Sequence, residues 1–289
     1  MNDDAFGRHR GLLFTVAYEM LGSASDAEDV VQEAWLRWAD VDHAAVRDPR
    51  AYLVRIVTRQ ALNRLRALAR RREDYVGPWL PEPVATAPDV AADVELVENL
   101  SVAMLAVLET LNPAERAVFV LREVFDTPYE EIAAAVDKSP AAVRQIAHRA
   151  RAHVAARRPR VAVSAAEQQA ALDRFLAAVR QGDVQGLLDV LAPDVAVVAD
   201  GGGVVPAARQ PVQGAARVAN LLVRGLRDVD IDAAAVWLNG APALRLTDGS
   251  GRHAAVSVAV EGGRITRIYV VANPEKLARL DAATVLTRS

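Results

Sequence analysis

Apolar residues recur with helical spacing on both sides of a short polar break in the segment from Pro128 to Val154. The apolar face of the first predicted helix is formed by Ile132, Ala133 and Val136, and that of the second by Val143, Ile146 and Ala150. Within the break, Ser139 is a favourable N-cap, and Pro140 occupies the first helical position, where its missing N–H costs nothing. Asp137 tolerates the left-handed conformation that such a turn uses. The pattern predicts a helix-turn-helix.

Two longer amphipathic helices are predicted before this segment. The first runs from about His9 to Trp38, with an interruption at Gly22-Ser23. Ser25 is predicted to cap its second half in a capping box with Glu28, after which one face is apolar and the opposite face is acidic. The next helix follows Pro49, and its polar positions from 51 to 72 carry arginines and no acidic residue. Each charged face fits either an oppositely charged partner or ordinary solvated surface.

The charge pattern then points to nucleic acid. No acidic residue occurs between Lys138 and Arg160, so the second helix of the helix-turn-helix presents a basic face. Such a helix can enter a DNA groove, although a helical hairpin with a solvated basic face is the alternative. The loop with Trp38, Asp42 and His43 lies beside the arginine-rich helix, so base-sized pockets could flank a groove for a phosphate backbone.

A proline-rich stretch from Asp74 to Asp93 separates these helices. Its four prolines disfavour a helix and favour an extended course. Trp79 and Leu80 are too apolar for a plain spacer, so we expect them to dock on another part of the protein.

The residues after Arg160 have a different pattern. Two helices are predicted between Ala165 and Leu191, followed by a buried strand that ends in Asp200-Gly201-Gly202-Gly203. A helix near 215–226 and four strand-like runs near 230–238, 243–247, 254–260 and 265–271 complete the segment. Helices followed by a meander of antiparallel strands predict an α+β domain of about 120 residues.

Composition narrows the classes of protein. The chain has 289 residues, of which 52% are hydrophobic, so a mostly disordered protein is excluded. It has no cysteine, which excludes disulfides, thiolate catalysis and Cys-ligated metal centres, and no metal or other cofactor is expected. The sequence lacks the pattern of a signal peptide or of a membrane-spanning helix, so we expect a cytoplasmic protein without membrane association.

The order of these motifs resembles an extracytoplasmic-function sigma factor of the sigma-70 family. The resemblance covers residues from about Leu12 to Arg157 and rests on DAEDVVQEAWLRW, DPRAYLVRIVTRQALNRLR and the segment from Leu111 to Val154. It implies binding to core RNA polymerase, at the β′ clamp helices and the β flap, and to double- and single-stranded promoter DNA. The residues implied are, for core polymerase, Asp26, Asp29, Gln32 and Glu33; for the minus-10 element, Arg55, Arg59, Asn63 and Arg66; and for the minus-35 element, Arg144, Gln145, His148 and Arg149.

The last segment resembles the SnoaL-like, nuclear-transport-factor-like cone, a fold that often encloses a pocket. A small ligand in the cone is therefore a candidate partner. Enzymes also use this fold, and acid/base chemistry would need a group such as Asp194, Asp200, His253 or Tyr269. None of these has a partner recognisable from spacing, and Asp200 beside three glycines is more simply a turn residue, so no catalytic residue and no enzymatic activity are expected.

Nearly the whole chain resembles the sigma-factor group in which a fused SnoaL-like domain regulates the sigma domains. The resemblance rests on the WLPEP linker, the DGGG turn and Asn273-Pro274-Glu275-Lys276-Leu277. It implies interdomain regulatory contacts by Trp79, Leu80, Pro81, Asp200, Gly201, Gly202, Asn273, Pro274 and Lys276. In that group a lysine usually follows the glycines, whereas Val204 stands here, so any charged contact of that lysine is absent.

We therefore predict a multidomain protein with two all-α sigma domains, the second with the helix-turn-helix, and an α+β SnoaL-like cone. The predicted boundaries are 1–73 for sigma region 2, 74–93 for the linker, 94–160 for sigma region 4 and 161–289 for the cone. One alternative is a one-component repressor or activator whose cone binds a ligand, and another is an enzyme with a DNA-binding domain. The first alternative leaves the acidic helix and the basic helix unexplained.

Overall fold

A computed structural model describes residues 3–87, 98–157, 163–226 and 229–288. The chain divides into two compact units, of which the first comprises Met1–Glu73, Met104–Arg158 and Val285–Ser289 and the second comprises Asp74–Ala103 and Pro159–Thr284. This division differs from the predicted boundaries, because the two sigma regions share one unit and the linker belongs to the other. The last part of the predicted linker, residues 88–93, lies outside the described residues.

The described part of the first unit is helical. Its helices are α1 (Asp3–Leu21), α2 (Ala24–Ala39), α3 (Pro49–Glu73), α4 (Val102–Leu108), α5 (Pro113–Phe119), α6 (Tyr129–Val136) and α7 (Pro140–Ala155), with a 3-10 turn at His43–Ala45 and a π-helical turn at Val120–Val124. The helices α1, α2 and α3 pack on one another, and α3 also packs against α6. No helix in the described ranges has the length and apolar character needed to cross a lipid bilayer.

The start of α2 corrects one prediction. Gly22 takes the left-handed conformation with φ 67°, which ends α1 immediately before Ser23. Ser23 then has the extended backbone of an N-cap, and its hydroxyl accepts the backbone N–H of Asp26 at 3.1 Å. The capping box predicted at Ser25 is therefore wrong, because α2 begins at Ala24 and Ser25 already lies inside the helix.

The helix-turn-helix is confirmed. Asp137 ends α6 in the left-handed conformation, with φ 56° and ψ 55°. Ser139 caps α7 by accepting the backbone N–H of Ala142 at 3.2 Å, and Pro140 is the first residue of that helix. The local conformational preferences of Asp137, Ser139 and Pro140 thus set the turn between the two helices.

The second unit has the predicted α+β character. Its elements are α8 (Ala165–Gln181), α9 (Val184–Val190), β1 (Leu191–Asp200), β2 (Val212–Gln213), α10 (Ala215–Leu226), β3 (Ile231–Leu238), β4 (Ala241–Asp248), β5 (His253–Glu261), β6 (Arg264–Val271) and α11 (Pro274–Leu277). The six strands form one sheet in the order β2-β1-β6-β5-β4-β3. The last four strands form the predicted antiparallel meander, whereas β1 pairs with β6 in parallel. A parallel pair needs a crossover, and the chain from β1 to β6 supplies it through α10 and the meander.

Apolar side chains fill the space between the helices α8, α9 and α10 and the sheet. Leu172, Phe175 and Leu187 from the helices pack in one buried cluster with Val195 and Ile268 from the strands. The strand β1 is part of this core, and Asp200 is the last residue of β1.

Candidate nucleic-acid interface

The acidic face of α2 is only partly free. Asp29, Gln32, Glu33 and Leu36 fall on one side of the helix, since residues three or four positions apart share a face. All four are exposed, and Leu36 retains 59% of its accessible surface. Asp26 is different, because Arg64 of α3 donates a 2.6 Å hydrogen bond to its carboxylate and also pairs with Asp29. The face therefore combines carboxylates with an exposed leucine at its C-terminal end.

The arginine-rich face of α3 carries all four residues predicted for the minus-10 element. Arg59, Asn63 and Arg66 line one side of a cleft of about 490 Å³, and Asp137 and Lys138 line the other side. Arg55 lies over the ring of Tyr52, with its guanidinium carbon 5.2 Å from the ring centre. Tyr52 is half-buried, and its ring is tilted against that of Trp38.

A second cleft of about 470 Å³ lies where α3 begins. It is lined by the loop after α2, by Tyr52 and Arg55 of α3, and by Glu131 and Ala134 of α6. His43 beside it packs edge-on against Trp38, with the ring centres 4.2 Å apart. An aromatic wall and an arginine next to a cleft of this size can stack and hold an unpaired base.

The helix α6 closes both clefts on one side. Arg59 of α3 donates a 2.9 Å hydrogen bond to the backbone oxygen of Ala134 in α6. This bond uses one of the five guanidinium N–H donors of Arg59, and the neighbouring surface of α3 packs against α6. The described arrangement of the first unit therefore covers part of the face that resemblance assigns to DNA.

The recognition face of α7 is open. Arg144, Gln145, His148 and Arg149 are all exposed, while Val143 and Ile146 on the opposite face are buried. The charged pairs of Arg144 with Glu130 and of Arg149 with Glu115 are long, at 3.9 Å and 3.8 Å. Exposed pairs at such distances contribute little free energy, so both arginines can turn toward a DNA groove.

The predicted regulatory residues meet in the second unit around the buried carboxylate of Asp200. Lys276 forms a 2.8 Å ion pair with this carboxylate and donates a 2.6 Å hydrogen bond to the backbone oxygen of Leu80. The backbone N–H of Leu80 binds the same carboxylate at 2.8 Å, and the Tyr75 hydroxyl binds it at 2.5 Å. The Lys276 ammonium also lies 3.4 Å from the centre of the Trp79 ring. The linker, the end of β1 and α11 are thus joined at one buried charge.

Gly201 and Gly202, which follow Asp200, leave room for close packing by neighbouring parts of the chain. A Cβ on Gly202 would lie 2.4 Å from the side chain of Asn273, and one on Gly201 would lie 2.2 Å from the backbone oxygen of Val205. Asn273 caps α11 and donates a 2.9 Å hydrogen bond to Tyr75, while Pro274 is the first residue of that helix. Pro81 is buried with Leu80. Asp200 is therefore not the plain turn residue that its glycines suggested.

Burial also changes the chemistry of Tyr75. Desolvation and the hydrogen bond to the Asp200 carboxylate raise the pKa of Tyr75 above its usual value. The phenol therefore remains a proton donor to Asp200 at physiological pH.

The groups considered for catalysis do not assemble around a cavity. Asp194 and His253 are exposed, whereas burial raises the pKa of Tyr269 to about 12. Asp200 is occupied by its ion pair with Lys276. Within the described ranges, no group of three or more His, Asp or Glu residues is arranged to hold a metal ion. Val204 is exposed, and a ligand in the cone stays a prediction.

Four contributing residues were missed from the sequence. Tyr75, Asn239 and Arg64 are polar groups whose partners lie far away along the chain, so no spacing identifies them. Asn239, in the left-handed conformation, accepts the backbone N–H of Val84 and donates to the backbone oxygen of Leu100. Leu36 could have been found, since a leucine among Asp29, Gln32 and Glu33 breaks the polar face of α2.

A helical region with an acidic helix and an arginine-rich helix, together with a helix-turn-helix, is the arrangement of a promoter-recognition factor of the sigma-70 type. Comparison with known proteins agrees: the family model for sigma-70 region 2 matches residues 5–71, and the model for sigma-70 region 4 matches residues 101–154.

Three comparisons extend over nearly the whole chain. The ECF RNA polymerase sigma factor SigJ of Mycobacterium tuberculosis is 36% identical over 96% of this chain and 93% of its own length. The probable ECF sigma factor SigI of the same species is 33% identical over 96% of this chain and 95% of its own length. The crystal structure of SigJ covers 97% of this chain and 99% of that chain, with a TM-score of 0.77 and 30% identity. The chain belongs to the family of extracytoplasmic-function RNA polymerase sigma factors, and the predicted fold, with its SnoaL-like second unit, and the predicted function in promoter-specific transcription initiation are confirmed.

Proposed function

We propose that this sigma factor docks on the β′ clamp helices of RNA polymerase through the face of α2 formed by Asp29, Gln32, Glu33 and Leu36. Exposed carboxylates steer a basic partner, and the exposed leucine beside them supplies apolar area that becomes buried on contact. Asp26 is assigned a supporting role, because its pair with Arg64 ties α2 to α3.

Promoter reading is assigned to two helices. Arg55, Arg59, Asn63 and Arg66 of α3 bind the melted minus-10 strand, supported by the clefts beside them, which are of a size for an unstacked base. Arg144, Gln145, His148 and Arg149 of α7 read the minus-35 duplex, supported by their common exposed face. Region 4 also contacts the β flap, as the family resemblance implies. With these partners the protein acts in the cytoplasm.

The described conformation is assigned to a closed state of the two sigma regions. The observation that carries this assignment is the hydrogen bond from Arg59 to the backbone of Ala134 at 2.9 Å. This bond joins α6 to the minus-10 face of α3, and a DNA strand cannot occupy the part of that face on which α6 packs. Promoter binding therefore requires α6 to leave α3, and the equilibrium between closed and open states sets activity.

The second unit is assigned the regulation of that equilibrium through the linker. Residues 75–80 are fixed to Asp200 and Lys276, and Val84 is bonded to Asn239. Residues 75–87 of the connection between the sigma regions are thus not a free tether, because their course depends on contacts with the folded sheet. A change in the second unit can then alter the population of the closed state.

Charge reversal of the α2 face tests the proposed function. Replacing both Asp29→Lys and Glu33→Lys should abolish binding to core polymerase and run-off transcription, because a basic face repels the basic partner. The matched control is Asp173→Lys with Asp189→Lys, which makes the same charge change at exposed helical positions of the second unit. Circular dichroism verifies that the helices remain folded, and polymerase binding that survives the reversal would refute the docking assignment.

A further inference from the structure

The last described residues of the chain belong to the first unit although they follow the second unit in sequence. The backbone N–H of Thr287 donates a 3.0 Å hydrogen bond to the hydroxyl of Thr15 in α1. The next residue, Arg288, donates a 2.9 Å hydrogen bond from Nε to the backbone oxygen of Val124, in the turn after α5. Two adjacent residues therefore contact sigma region 2 and sigma region 4 at once.

The packing of this segment on α1 is close. A Cβ built on Gly11 would lie 2.8 Å from Cγ2 of Thr287, which is shorter than a normal contact. Leu286 is buried at 5% exposure, whereas its neighbour Val285 is 76% exposed. The segment thus lies in a fitted site on the first unit, with one apolar side chain inserted.

A buried charged junction lies where the same two regions meet. Arg116 of α5 is 1% exposed, donates a 3.0 Å hydrogen bond to the backbone oxygen of Glu19 in α1, and pairs with Glu109 at 2.6 Å. The carboxyl group of Glu19 is fully buried, and among the described residues neither of its oxygens has a hydrogen-bond partner. The positive charges of Arg116 and Arg288 both act on it. Arg288 therefore belongs electrostatically to the junction between the regions.

We propose that residues 285–288 form an autoinhibitory clasp that holds sigma regions 2 and 4 together in the closed state. The inference rests on the closed state assigned above, and it adds the element that holds that state. When the clasp is in place, Thr15 and Val124 are bridged and α6 stays on the minus-10 face of α3. When the clasp leaves, that bridge is lost and α3 is released to bind DNA.

The contacts are of a strength that suits a reversible device. Hydrogen bonds of this kind and one buried leucine together shift a two-state equilibrium by about tenfold to a hundredfold. A shift of that size is enough to make the closed state dominant, yet binding of polymerase or promoter can overcome it.

Distance measurement between spin labels in the full chain tests the proposal. The sequence has no cysteine, so Ala39→Cys at the exposed end of α2 and Ala152→Cys on the exposed face of α7 provide two unique label sites. Double electron–electron resonance should give one narrow distance for the otherwise unchanged protein. A chain that stops after Thr284 should populate longer distances, with the closed fraction reduced about tenfold. The second unit keeps its contacts in this variant, because Thr284 is its last residue.

A substitution on α1 provides a second route to the same result. Gly11→Leu places a side chain where Thr287 lies and should displace the clasp while it favours the helix. The matched control is Gly7→Leu on the same helix, since nothing lies within 4 Å of a Cβ at Gly7. It should leave the distance unchanged.

The truncated chain decides the outcome. If its distance distribution equals that of the full chain, the clasp does not hold the regions together and the proposal is wrong. If circular dichroism shows that the truncated chain does not fold, Gly11→Leu compared with Gly7→Leu decides instead, and equal distances in these two variants overturn the proposal. Promoter-fragment binding is measured separately, so longer distances without tighter DNA binding would support the clasp and count against the proposed closed state as a block to promoter binding.

Discussion

Each unit of this protein contains a buried carboxyl group at a junction between distant parts of the chain. In the second unit, Asp200 receives the Lys276 ammonium, the Tyr75 hydroxyl and the backbone N–H of Leu80. A buried carboxylate is tolerated only when such donors replace its lost hydration. In the first unit, the carboxyl group of Glu19 lacks this compensation, and desolvation raises the pKa of Glu19 to about 8 against the opposing effects of Arg116 and Arg288. The two carboxyl groups therefore have opposite consequences for stability.

The raised pKa of Glu19 predicts a pH-dependent stability. The folded state keeps the proton up to about pH 8, whereas the unfolded state releases it near the ordinary value of 4.5. The free energy of unfolding should therefore fall as pH rises between these values, by up to about 1.4 kcal/mol per unit, and level off above them. Glu19→Gln, which cannot ionise, should flatten this dependence and raise stability at pH 8.

Urea unfolding at several pH values measures the effect, with Glu33→Gln at an exposed position as the control. A slope that Glu19→Gln leaves unchanged would mean that another group causes it.

At the scale of elements, helix ends follow local chemistry where one residue suits the cap. Ser139 and Pro140 start α7 as predicted, because no other nearby serine competes. At α2, Ser23 and Ser25 are both suitable N-cap residues. The left-handed conformation of Gly22 ends α1 directly before Ser23, so Ser23 becomes the cap. The sequence also predicts which face of a helix is exposed. The basic side of α7 is exposed, as the spacing of its apolar residues indicates.

The recognition helix predicts two different responses to the loss of an arginine. Arg149→Ala should weaken promoter binding by about 1–3 kcal/mol and relax the preference at one minus-35 position, as expected of a bidentate base contact. Arg157 lies beyond the end of α7 and is exposed, so Arg157→Ala should weaken binding to all sequences alike and mainly reduce its salt dependence. Binding titrations on promoter variants at several salt concentrations separate the two effects. Equal, sequence-independent losses would show that α7 only holds phosphates.

At the scale of the whole molecule, the linker depends on a domain that follows it by many residues. Leu80 is buried in the second unit, and Ala85 and Thr86 are bonded there to the chain at Thr284 and Trp237. Without the second unit these residues lose the surface on which they pack and their hydrogen-bond partners. We then expect the connection between the sigma regions to be a flexible tether.

Truncation should therefore affect transcription without removing any promoter-binding residue. A chain that stops after Arg160 should lose most promoter-directed transcription, because the regions then sample many separations. Lys276→Met is a milder test, since it leaves the Asp200 charge buried and unpaired and should destabilise the second unit by about 3–5 kcal/mol. Run-off transcription and thermal unfolding compare both with the full chain. Full activity in both variants would show that the second unit does not regulate the sigma regions.

The sequence by itself determined the helices of the sigma regions, the helix-turn-helix, the α+β character of the second unit and the family. These features depend on residues within about four positions of one another or on strands that follow in order, which periodicity and capping express directly. Only the tertiary structure decided that Asp200 pairs with Lys276, 76 residues away, and that Tyr75 and Leu80 bind the same carboxylate. Only the tertiary structure likewise decided that Arg59 bonds to the backbone of α6 and that Thr287 bonds to Thr15, which is 272 residues away. Such contacts join parts of the chain through packing, and no local pattern records which distant groups packing will bring together.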